Sequence, residues 1–107
     1  MLYKFKSRVW GDLIMLEPNG RQALEIIGKE PGAQGIIQWP QMPQAVAALQ
    51  KAIEDDEAKR EEEQEAARAE GHELAVDEVV SLRRRLVPMI DMLRHCHQAQ
   101  ADVVWGV

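Results

Sequence analysis

Hydrophobic and polar residues alternate at the start of the chain, where Tyr3 and Phe5 alternate with Lys4 and Lys6. This period of two is typical of a strand with one buried face. Residues 13–16 form a continuous apolar run. They predict a second strand, antiparallel to the first, because the connection is too short for a helical crossover. A last apolar run, residues 103–107, predicts a terminal strand beside this hairpin.

Apolar residues at helical spacing predict three helices further along the chain. Pro18-Asn19-Gly20 predicts a turn, and a short helix then covers residues 21–27, with Gly28 as its C-terminal glycine. Two longer helices follow from stripes with steps of three and four residues. These stripes are Met42, Val46, Leu49 and Ile53, and then Val79, Leu82, Leu86, Ile90 and Leu93. Pro88 lies within the second stripe and predicts a kink or a helix start. Residues 36–37 fit either a short strand or a buried linker.

Together these elements predict an α+β fold. A small antiparallel sheet, made of the N-terminal hairpin and the C-terminal strand, packs against one short and two longer helices. The chain has 107 residues, a length that suits one domain. We therefore expect residues 1–107 to form a single domain.

Negative charge is concentrated in residues 54–73, which hold ten acidic and three basic residues. The net charge of this segment is −7, whereas that of the whole chain is −5, so the rest of the chain carries +2. It contains no large apolar residue and fits either a solvated helix or a flexible segment; we favour a helix that ends near Gly71. An acidic chain without a long basic cluster is not expected to bind nucleic acid.

Side chains for hydroxyl chemistry are scarce. The chain has no threonine and only two serines, Ser7 and Ser81, and neither lies in the glycine elbow of a serine hydrolase. Cys96 is the only cysteine, so no internal disulfide can form. The start of the chain does not resemble a secretory signal, and no apolar run reaches the roughly 18 residues of a membrane span. We expect a cytoplasmic protein that does not enter a membrane.

The triplet His95-Cys96-His97 has the most suggestive chemistry, because histidine and cysteine are ligands for zinc and copper. Residues two apart on a helix point to different sides, however, and no second cysteine is present. Packing of a partly buried thiol between polar-face histidines is the interpretation we favour. A nucleophilic role for Cys96, with a neighbouring histidine as base, requires a geometry that adjacent helical residues rarely have.

The three tryptophans are candidate anchors. Trp105 lies in a predicted strand and is expected in the core. Trp10 and Trp39 lie in predicted loops, where a partly exposed indole is typical of a binding hot spot. Trp10 and Trp39 are therefore our candidates for a partner surface, with packing as the alternative.

Several segments resemble a family of small proteobacterial proteins, the domain of unknown function 1840 family. They are residues 1–7 (MLYKFKS), 14–20 (IMLEPNG), 26–31 (IIGKEP), 35–37 (GII), 42–43 (MP), 92–97 (MLRHCH) and 104–107 (VWGV). The resemblance implies a bacterial source and a cytoplasmic setting. The family has no assigned activity, so it transfers no catalytic residue and no cofactor.

Three functional hypotheses follow. The first is a protein-interaction or accessory module without catalytic activity or cofactor, with a protein partner; a homodimer is a further option, since amphipathic stripes also pair between copies. The second is a small-ligand or metal-binding protein that uses His95, Cys96 and His97, or the glycine-rich loop at residues 28–35. The third, an enzyme, requires a pocket with convergent polar groups that the sequence does not indicate.

Overall fold

The computed structural model describes residues 2–71 and 81–106 and confirms the α+β class. The strands and helices follow one another as β1 (Leu2–Ser7), β2 (Trp10–Leu16), α1 (Glu17–Ile26), β3 (Gly35–Ile37), a one-turn 3₁₀ helix (Trp39–Gln41), α2 (Met42–Ala69), α3 (Leu82–Gln98) and β4 (Val103–Trp105).

The four strands form one antiparallel sheet in the order β2-β1-β4-β3. The predicted hairpin is β1 with β2, and the predicted terminal strand, β4, lies beside β1. β3 extends the sheet on the far side of β4, so residues 36–37 belong to a strand. β2 and β3 are therefore the two edges of the sheet in the described part of the chain.

Alternate residues of the strands face opposite sides of this sheet. Phe5 and Ile37 are completely buried on the inner face, which the helices cover. Leu2 pairs with Leu16 across the hairpin, and both are exposed on the outer face. The period of two therefore separates a core face from a solvent face.

The predicted turn at Pro18-Asn19-Gly20 is wrong, because these residues form the first turn of α1. Proline suits the start of a helix, where its missing N–H has no intrahelical partner. Gly20 is buried beneath the Tyr3 ring, which leaves no room for a side chain. The predicted end of this helix is close to the observed one: Gly28 follows it with a φ of 80°, in the left-handed region that glycine tolerates.

The two long helices bury the predicted stripes. Met42, Val46, Leu49 and Ile53 of α2 are buried, as are Leu82, Leu86, Ile90 and Leu93 of α3; Val79 lies outside the described residues. α3 starts after Ser81, whose Oγ accepts a hydrogen bond from Arg84 N (3.3 Å). It continues as one helix through Pro88.

Helix α2 also contains most of the acidic segment. Residues 54–69 are helical and residues 72–73 lie outside the described part. Solvated i,i+4 pairs such as Lys51–Asp55 (3.6 Å) lie along this helix. Among the described residues, no helix is both long enough and apolar enough to cross a membrane.

Arg85 joins α3 to α1. Its Nη1 donates to Asn19 Oδ1 (2.9 Å) and to Gln22 Oε1 (3.1 Å). The guanidinium thereby fixes the two helices against each other above the inner face of the sheet.

Candidate functional site

The His95-Cys96-His97 triplet occupies the C-terminal end of α3, and its three side chains point in different directions. His95 is exposed, Cys96 is completely buried, and His97 is partly buried. This divergence follows from the rotation of about 100° per residue in an α-helix.

Trp10 packs against His95. Their ring centroids lie 4.7 Å apart with the planes tilted by 44°, and Trp10 remains 41% exposed. Trp10 is not in a loop, as the sequence indicated, but is the first residue of β2.

A β-bulge explains this contact. Phe5 pairs with Leu13 and Ser7 pairs with Trp10, so two steps along β1 match three along β2. The extra residue reverses the inside–outside alternation of β2. Trp10 therefore faces the helices. Without the bulge it would lie on the outer face with Ile14, because residues an even number of positions apart in a regular strand share a face.

Trp39 makes the corresponding contact with His97. The ring centroids are 5.9 Å apart, and His97 Nδ1 lies 3.0 Å from the Trp39 carbonyl oxygen. A carbonyl only accepts hydrogen bonds, so Nδ1 is the donor. Trp39 N donates in turn to Asp102 Oδ1 (2.9 Å). Trp39 belongs to the 3₁₀ helix and is partly buried, so it is held more tightly than a loop residue.

Cys96 lies between these two contacts and faces the sheet. Its thiol donates to Ser7 Oγ (3.2 Å), which joins the end of α3 to β1. A fully buried thiol with this partner is out of reach of a substrate in solution, and its observed role is packing.

The end of α3 is a Schellman motif. Ala101 N donates to Cys96 O (2.9 Å) and Gln100 N donates to His97 O (3.1 Å). Gln100 has a φ of 54°, a left-handed conformation in which glycine is preferred. Its carbonyl oxygen accepts a weak bond from Arg8 Nη2 (3.5 Å), so the β1–β2 turn also contacts this end.

The structure therefore brings Trp10 together with His95, and Trp39 together with His97. We call these four residues, which lie on two sides of the end of α3, the α3-end surface. It does not gather the histidines and Cys96 around one point. Within residues 2–71 and 81–106, no group of three His, Cys, Asp or Glu side chains could hold a metal ion.

A groove of about 310 Å³ separates α2 from α3. Glu54, Arg83, Asp91 and Arg94 line it, so its charges balance. Arg83 Nε also donates to Glu57 Oε1. This hydrogen bond, reinforced by the attraction between the two charges, lowers the pKa of Glu57 and raises the pKa of Arg83.

The outer sheet face, defined by the exposed residues Leu2, Ile14, Leu16 and Ile36, was missed from the sequence. Residues 13–16 are all apolar, so no alternation marks which of them are exposed. The signal that identifies them is the hairpin register, which pairs Leu16 with Leu2 and Ile14 with Lys4.

Over residues 2–71 and 81–106 the fold is α+β, with helices on one face of a four-stranded antiparallel sheet. A family model matches residues 1–105, and the chain therefore belongs to the family described as Domain of unknown function (DUF1840). No curated protein and no solved structure shows significant similarity to this chain.

Proposed function

We propose that this protein is a bacterial, cytoplasmic protein-interaction or accessory module, without catalytic activity of its own, that binds a protein partner through the α3-end surface. The observation that carries the proposal is the exposure of Trp10, which is 41% although the ring packs against His95. The bacterial and cytoplasmic parts rest on the family resemblance, and the cytoplasmic part rests also on a single cysteine, which cannot form an internal disulfide.

An exposed tryptophan in a fixed position is well suited to binding. Tryptophan offers a large contact area with few rotatable bonds, and it is enriched among residues that dominate binding energy. The contact with His95 and the bulge of β2 fix the indole before a partner arrives, which reduces the entropy lost on association. Trp39 supports the other side of the same helix end through His97.

The buried position of Cys96 supports an interaction role over a nucleophilic one. The thiol is the most reactive group in this region by type, and it is packed beneath the surface against Ser7. The accessible groups here include the Trp10 indole, the His95 imidazole and the Arg8 guanidinium. Tryptophan and arginine are enriched in protein interfaces.

The test begins with the tagged chain expressed in the organism that encodes it and purified gently. Mass spectrometry identifies co-purifying proteins, and elemental analysis measures bound metals. Binding of the recovered partner to purified wild-type protein is then measured by calorimetry. We expect Trp10→Ala to weaken binding by at least about 30-fold, the effect of a hot-spot residue.

Leu2→Ala is the matched control, because Leu2 is also exposed and apolar but lies on the outer sheet face. It should leave the affinity within about threefold of wild type, as for most contacts outside a hot spot. Equal affinity for wild type and Trp10→Ala would remove the α3-end surface from the proposal. Stoichiometric zinc without a protein partner would favour the metal-binding alternative at His95, Cys96 and His97.

A further inference from the structure

The two edges of the sheet differ in length and in chemistry. β3 has three residues, whereas β2 has seven. The second half of β2 is entirely apolar, and Ile14 and Leu16 are 56% and 61% exposed. An unpaired edge strand presents free N–H and C=O groups to any strand that approaches it.

The features that usually protect an edge strand are absent from the second half of β2. Residues 13–16 contain no proline and no charge, and the bulge lies before them. In the described parts of the chain, no loop or side chain hydrogen-bonds to the backbone of residues 10–15. Asp12, the only charged residue of β2, forms an ion pair with Lys4 on the neighbouring strand (3.6 Å).

We propose that the edge formed by residues 13–16 pairs with the same edge of a second copy of this chain, so that two sheets join into one of eight strands. This inference goes beyond the proposed function, because it uses the β2 edge and not the α3-end surface.

Symmetry and charge favour a second copy. A two-fold axis perpendicular to the sheet pairs identical strands antiparallel, and it keeps outer residues beside outer residues. With the axis close to Ile14 or Met15, Ile14 lies beside Ile14 or Leu16 of the second copy. In neither register does Asp12 face its own copy, so no like charges oppose each other.

The size of the contact sets its strength. A contact made of a few strand pairs and the side chains of Ile14 and Leu16 is expected to bury less than the roughly 1,200–2,000 Å² of a stable interface. We therefore expect a reversible dimer that forms at micromolar concentrations, not a permanent one.

Sedimentation velocity of the purified full chain, from about 1 µM to about 1 mM, tests this proposal over the range of weak affinities. We expect the mass to rise with concentration from 12.1 kDa towards twice that value. Hydrogen exchange should slow at the amides of residues 13–16 over the same range.

Two matched variants locate the contact. Ile14→Glu places a carboxylate at the β2 edge beside Lys4, and Ile36→Glu makes the same change on β3, the other edge. We expect the first to weaken dimerisation at least about tenfold, since like charges would approach across the two-fold axis, and the second to leave it unchanged. Leu16→Glu repeats the first test if Ile14→Glu is poorly folded by circular dichroism. Trp10→Ala should not affect dimerisation.

A monomer at every concentration would overturn the proposal. So would a dimer that Ile14→Glu and Leu16→Glu do not weaken, or one that Ile36→Glu weakens equally, because the contact would then be the outer sheet face. If the chain stays monomeric and a different protein slows exchange at residues 13–16, the edge binds a foreign strand and the proposed self-pairing is wrong.

Discussion

The two faces of the sheet contain similar apolar residues and yet have opposite surroundings. On the inner face Phe5, Ile37 and Val103 have no exposed surface, whereas on the outer face Ile14 and Ile36 are about half exposed. Residue type therefore does not decide burial here; position in the pleat does. The inner face accounts for stability and leaves the outer face and the strand edges free for contacts.

Adjacent isoleucines in β3 give the largest expected difference between the faces. Ile37→Ala removes a completely buried side chain opposite Val103 and should lower the free energy of unfolding by about 2–5 kcal/mol. Ile36→Ala removes the same atoms from the outer face and should cost less than about 1 kcal/mol. Urea unfolding of both variants measures this, and similar losses would show that the outer face is covered in solution.

The next largest loss of stability is expected at Gly35 of β3, because the ring of Trp105, on the neighbouring strand β4, lies directly over the Gly35 backbone. A Cβ atom at Gly35 would clash with this indole, whose Nε1 donates to Gly32 O (3.0 Å). Gly35→Ala should cost about 1–3 kcal/mol, as overpacking does. Gly11→Ala is the control, since nothing lies within 4 Å of its Cβ position. Thermal unfolding that ranks the two variants equally would contradict this account of β3.

The smallest effect lies away from the sheet, at the solvated Glu57–Arg83 pair. The hydrogen bond from Arg83 lowers the pKa of Glu57 from its usual 4.5. The stabilisation that the Glu57–Arg83 pair provides is therefore fully present above pH 4.5. It is lost as the pH falls through the lowered pKa of Glu57.

The urea concentration at the unfolding midpoint should therefore fall slightly more for wild type than for Glu57→Gln when the pH is lowered from neutral to about 3. Lys51→Gln, which removes a partner from another exposed pair of α2, provides a comparison. An identical fall for wild type and Glu57→Gln would show that the pair adds nothing to stability.

The elements that the sequence predicted are those with local signals. Alternation marks β1, and three- and four-residue steps mark the buried faces of α2 and α3, because these periods are fixed by backbone geometry. The first turn of α1 was missed since proline and glycine favour a turn and a helix start alike. Only the packing of Gly20 under Tyr3 distinguishes them.

The candidate site was predicted by residue and not by arrangement. Trp10, Trp39, His95 and His97 were each chosen from the sequence, but their pairing was not. Trp10 meets His95 across 85 positions, and it does so only because one extra residue in β2 reverses its side. Contacts of this kind depend on register and topology, which no local pattern contains.

The thiol beneath the α3-end surface provides a built-in probe of motion. Cys96 is the only cysteine of the chain and is fully buried against Ser7. A thiol-specific dye can reach its sulfur only while the end of α3 separates from β1. Under native conditions the rate of labelling therefore reports how often the end of α3 opens. A partner that binds Trp10 and His95 would slow the labelling without contacting the sulfur.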